Sequence, residues 1–165
     1  MRKKILIIIV IILVLIQFIR PARNISTTPS PKDISTEYSV PDSVKNIMAV
    51  ACYDCHTNNT RYPWYANIQP VGWWLQNHIN GGKRHLNFSE FTGYDKKKQY
   101  KKMDETADQI KEGEMPLNSY LWIHTNAKLT QAEKDLLVNW AQQLSDKIVN
   151  DNHLVREKET DKRDR

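Results

Sequence analysis

Two cysteines and a histidine constrain this chain more than any other feature. Residues 51–56 read Ala-Cys-Tyr-Asp-Cys-His, so Cys52, Cys55 and His56 form a C-x-x-C-H motif. Thiols three positions apart lie on one side of a helical turn, where each can add to one vinyl group of the same porphyrin. The adjacent imidazole can then reach the iron, and the pattern is that of covalent c-type haem attachment. Its competitors are a thioredoxin-like redox pair, half of a zinc site, and a chance match. The zinc reading wants a second C-x-x-C, whereas these are the only 2 cysteines in 165 residues. The redox reading wants a βαβ context that the apolar pattern lacks. As a structural staple the pair is poor, because the loop it would close is tiny.

The N-terminus says where such chemistry could occur. Arg2, Lys3 and Lys4 precede an apolar run from Ile5 to Ile19 that only Gln17 interrupts, and Arg20-Pro21 ends it. A positive start followed by an apolar core is an export signal. No small-x-small site follows, so residues 1–20 read as an uncleaved signal-anchor, with a cleaved signal peptide as the alternative. At ~1.5 Å per residue the run is ~22 Å long, short of a hydrocarbon core of ~30 Å, although flanking Arg and Lys can snorkel. Basic residues before the run favour a cytoplasmic N-terminus. The expected location is a bacterial inner membrane crossed once, with the rest of the chain in the periplasm, or a periplasmic protein if the signal is removed.

Residues 21–39 are rich in Ser, Thr and Pro, lack an apolar period and predict a flexible linker. Residues 40–149 carry helical periodicity and are expected to form one domain around the C-x-x-C-H motif, a haem c-binding domain if that motif holds haem. Asp42 or Ser43 can cap a helix bearing Val44, Ile47, Met48 and Ala51, which runs into Cys52. A second helix is predicted from Pro70 to Ile79, with Gly81-Gly82 ending it. Tyr100, Met103, Ala107 and Ile110 stripe a charged helix that stops at Gly113. Thr130-x-x-Glu133 is a capping box, opening a helix lined by Leu136, Leu137, Trp140, Leu144 and Ile148. The first and last of these helices are expected to cross, with Ile47, Met48 and Ala51 facing Leu137, Trp140 and Leu144. Residues 150–165 lose the apolar period and read as a charged disordered tail. The net charge of +5 is dispersed rather than gathered in a stripe, so nucleic acid is not an expected partner.

His56 is the expected proximal iron ligand by its adjacency to the cysteines. For the other face, Met115 stands before Pro116, which disfavours α conformation and leaves the thioether to project from a loop. His78 and His85 are the alternatives to Met115, and His124 reads as a hydrogen-bonded buried residue. Met/His ligation leaves no open coordination site and suits electron transfer. If Met115 is not bound, the domain becomes a haem peroxidase-like enzyme or a haem-based redox sensor with a displaceable sixth ligand. Around the motif, Tyr62, Trp64 and Trp74 are possible pocket walls or ordinary core residues, and Arg61 is a possible propionate partner.

A helix ending in C-x-x-C-H, a later Met-Pro loop and a closing amphipathic helix resemble class I cytochrome c. More narrowly, several stretches look like the bacterial haem-binding domain family of c-type cytochromes. They are Cys52 to His56, Asn59 to Tyr65, Gln69-Pro70, Trp74, His78, Leu86 to Ser89 and Glu114 to Pro116. The likeness covers about Val40 to Ser145. It implies a mostly α, cytochrome c-like small helical domain around one covalent haem c per chain, held by Cys52 and Cys55. It also implies His56 with Met115 on the iron, and it leaves the reaction and the redox partner protein unassigned.

Overall fold

A computed structural model of the chain describes residues 2–156. Its helices are α1 (Arg2–Leu15), α2 (Asp42–Ala51), α3 (Tyr53–His56) and α4 (Val71–His85), then α5 (Lys96–Glu112), α6 (Asn118–Leu121) and α7 (Gln131–Asp151). Short 3-10 turns lie between them, and no strand occurs among the described residues. The expectation of a mostly α fold is met. Among the described residues no helix is long and apolar enough to cross a membrane.

The chain divides into two compact units. Among the described residues, one unit takes 2–29 together with Tyr53–Asn87, and the other takes Ser30–Cys52 together with 88–156. The boundary falls inside the C-x-x-C-H motif, between Cys52 and Tyr53.

The second unit is built on α5 and α7, which pack along one another. Asp95 caps α5 by accepting from the Lys98 backbone N–H at 2.8 Å, and Tyr100, Met103, Ala107 and Ile110 are buried at helical spacing. Gly113 ends the helix at φ 74°, a left-handed conformation in which a Cβ is costly. The predicted capping box at Thr130 and Glu133 opens α7, whose buried residues include Leu137, Trp140, Leu144 and Ile148. Leu136 lies outside this face and is exposed. Helix α2 does meet α7, but Val44 and Met48 are the residues it buries. Ile47 and Ala51 instead line a groove of about 180 Å³ with Val50, Ala127, Leu129 and Glu133.

Two segments expected to be loose are fastened. Within residues 21–39, Ile34 and Tyr38 are buried, Tyr38 Oη donates to Gln99 at 2.6 Å, and Asn24 is hydrogen-bonded on both backbone and side chain. Period-based reading missed this because polar anchors and single apolar residues leave no period. Helix α7 continues to Asp151, and Arg156 reaches both oxygens of Asp104 at 2.8 and 2.9 Å. Residues 157–165, the remainder of the expected disordered tail, lie outside the described residues.

Candidate haem-attachment site

Helix α2 delivers Cys52 at its C-terminal cap, where the Cys52 N–H donates to the Met48 carbonyl at 2.9 Å. Tyr120 Oη donates to the Val50 carbonyl at 3.3 Å, tying α6 to the last turn before that cysteine. In the same unit Met115 is half-buried just beyond α5. Its N–H donates to the Gln109 carbonyl at 3.2 Å, and the Met115–Pro116 peptide is cis. His124 is half-buried and stacks on Tyr120 with ring centroids 4.2 Å apart, so it is a surface-edge residue rather than the buried one expected.

In the first unit, α3 carries Asp54, Cys55 and His56 and lies on α4. The contact depends on Gly82, where a Cβ would stand 2.8 Å from the Cys55 carbonyl oxygen and 3.1 Å from the Cys55 Cβ. Gly82 therefore serves close approach and does not end the helix, which continues three residues further to His85. Leu86 caps α4, and its carbonyl oxygen lies 2.9 Å from His56 Nδ1. Because a carbonyl can only accept, Nδ1 carries the proton and the lone pair of the neutral ring is on Nε2. Burial lowers the His56 pKa, the Leu86 and Gly82 carbonyls push it back up, and nearby His85 lowers it.

Burial, reinforced by the Asp54 charge, pushes the Cys55 thiol up to about 11. A thioredoxin-type cysteine needs a depressed pKa, so this shift argues against the redox-pair reading. Among the described residues no group of three or more His, Cys, Asp or Glu comes together, as a protein-held zinc ion would need.

The loop after the motif is folded back on α3. Thr60 Oγ1 donates to the Asp54 carbonyl at 2.6 Å, while the Arg61 N–H and Nε both donate to Asp54 Oδ1, at 3.2 and 3.1 Å. Asn24 gathers this loop. Its amide nitrogen donates to the Thr57 carbonyl and Thr60 Oγ1, its carbonyl oxygen accepts from Lys83 Nζ, and its backbone N–H donates to Tyr62 Oη. Tyr62 Oη in turn donates to Gln76 at 2.7 Å. Of the expected pocket residues, Arg61 is thus turned towards Asp54 and Tyr62 towards Asn24 and Gln76. Trp64 is 75% exposed and Trp74 46% exposed. His78 binds the Trp74 carbonyl of its own helix through Nδ1, and His85 is exposed.

A sequence model of the haem-binding domain family matches residues 11–143. The chain belongs to the haem-binding domain family. No curated protein and no solved structure gives a match. The matched span of this haem-binding domain takes in α2 through most of α7, including Cys52, Cys55, His56 and Met115, and begins inside the N-terminal apolar run. Its cofactor is haem. The side chains fit that group: His56 has the tautomer an iron-bound imidazole requires, with its other nitrogen held by a backbone carbonyl. Neither Gly82 nor Asn24 figured among the residues expected to matter. Gly82 lay in a Gly-Gly pair that reads equally well as a helix stop, and Asn24 sat in a stretch without period.

Proposed function

We propose that this haem-binding domain is a monohaem c-type cytochrome that carries electrons, anchored in a bacterial inner membrane by residues 5–19, with the chain after Arg20 on the periplasmic side. The observation that carries the reading is the His56 Nδ1 to Leu86 carbonyl bond, beside a Cys55 thiol that is protonated at neutral pH. Cys52 and Cys55 would hold the porphyrin as thioethers, each S–H adding across one vinyl double bond, sulfur to one carbon and hydrogen to the other, with no oxidant needed. His56 would hold the iron through Nε2, and the Leu86 carbonyl keeps the ring from rotating and raises its basicity. Met115, in the loop that the Gln109 carbonyl fastens, would be the second iron ligand. When bound, haem supplies a one-electron ferric/ferrous couple, and Met/His ligation raises its potential relative to bis-His.

The test is intact-mass spectrometry of the protein matured in a strain with c-type haem assembly. One haem per chain, bonded at Cys52 and Cys55, is expected; an unmodified pair ends the reading. Met115→Ala should abolish the weak charge-transfer band of Met-ligated ferric haem, and persistence of the band would remove Met115 as a ligand.

A further inference from the structure

The apolar run of the first unit does not simply stop; it is clamped. Gln17, its one polar residue, brackets the backbone of Gln69: Gln17 Nε2 donates to the Gln69 carbonyl at 3.1 Å and Oε1 accepts from the Gln69 N–H at 2.8 Å. Two residues on, the Ile19 carbonyl accepts from the Trp73 indole N–H at 2.7 Å. The run therefore leaves the unit at the 3-10 turn Trp64–Asn67 and the start of α4. That same place carries Trp64, Ile68, Val71 and Trp74, exposed by 75, 47, 39 and 46%. Arg20 and Arg23 border it, Arg23 held by Asn67 at 2.6 Å.

We propose that the face formed by Trp64, Ile68, Val71 and Trp74 is seated in the lipid interface of the membrane that holds residues 5–19. This rests on the anchored reading above and extends it to the unit's orientation. Three considerations support a bilayer as the occupant. Exposed indoles beside aliphatic residues and flanking arginines match the chemistry of the headgroup region, where an amphipathic ring and a cation are both accommodated. The anchor is short: the apolar part of α1 from Ile5 at ~1.5 Å per residue and the 3-10 turn Ile16–Phe18 at ~2 Å give ~22 Å against a core of ~30 Å, so an anchored domain is drawn down into the interface. Lastly, His56 and Cys55 meet α4 at Gly82 and Leu86, and Val71 lies ~16 Å back along the helix axis from Gly82. Cys55 and His56 on one side and the apolar face on the other thus meet α4 at opposite ends.

The wild-type, haem-loaded full chain is reconstituted in phosphatidylethanolamine/phosphatidylglycerol vesicles containing a phospholipid with a diazirine high in its acyl chain. After irradiation, lipid adducts are mapped by peptide mass spectrometry. Adducts are expected on residues 5–15 and on 64–74, the latter severalfold above those on 80–87 at the far end of α4. Adducts confined to 5–15 leave the anchor standing and overturn the seated face. Adducts on 64–74 without any on 5–15 sustain the face and overturn the anchor, and their absence from both overturns both. Labelling of 64–74 that appears only in haem-free chain assigns the face to haem and overturns the proposal.

Discussion

Among the described residues the second unit buries 17 apolar side chains and two polar ones, Gln99 and Ser145; the first buries only Leu75, Ile79 and Leu86 against Asp54, Thr57, Thr60, Gln69, Gln76 and Asn87. Full burial of a large aliphatic side chain is worth about 1.5–3 kcal/mol, so three of them are a thin core. A buried hydrogen bond nets only about 1 kcal/mol, but an unmade one costs more. The first unit therefore depends on its polar partners being complete, and Asn24 completes several at once. Apolar packing makes the second unit tolerant of polar change and sensitive to cavities. The first should show the reverse.

The largest effect that separates them is a cavity. Leu137→Ala, at a site 2% exposed, should cost about 3 kcal/mol and show in hydrogen exchange as lost protection over α5 and α7. Unchanged exchange there would mean that the α5–α7 core does not hold this unit.

Next comes the polar hub. Asn24→Ala removes three side-chain bonds and should cost about 2 kcal/mol, with protection falling over residues 53–87 while α5 and α7 keep theirs. Equal loss in both units would erase the contrast drawn between them.

The smallest effect is electrostatic. Backbone and side-chain bonds from Thr130 hold the Glu133 carboxyl below the ordinary glutamate range. A depressed carboxylate stabilises above its unfolded pKa, and the benefit disappears as pH falls through the folded one. Thr130→Ala should therefore cost about 1 kcal/mol at neutral pH, and urea melts should show that difference shrinking as acid protonates Glu133. A difference independent of pH would place the cap's value in the threonine hydroxyl alone.

The same contrast explains what could be read in advance. Tyr100, Met103, Ala107 and Ile110 announce α5 because apolar packing repeats with the helix, and Thr130 and Glu133 announce the start of α7 because a cap is local. The spacing of Cys52, Cys55 and His56 stands out in the sequence because the attachment chemistry proposed for it demands fixed positions. Gln17, Asn24 and Gly82 were not. Gln17 and Asn24 act through single contacts with the backbone of distant residues, and Gly82 acts through a side chain it lacks. The split of the chain into two units was hidden for a related reason: the first unit is assembled from separated segments joined by hydrogen bonds, which carry no period.

The position of Asn24 limits how the N-terminus could be trimmed. Proteolysis after Arg20 would remove Gln17 and its two bonds to Gln69 but spare Asn24. A cut after Ile25 would also take the residue that gathers Thr57, Thr60, Tyr62 and Lys83. Any maturation that leaves the loop behind Cys55 and His56 fastened must therefore cleave before Asn24. A signal peptidase acting on this chain has only a few permissible bonds past the apolar run.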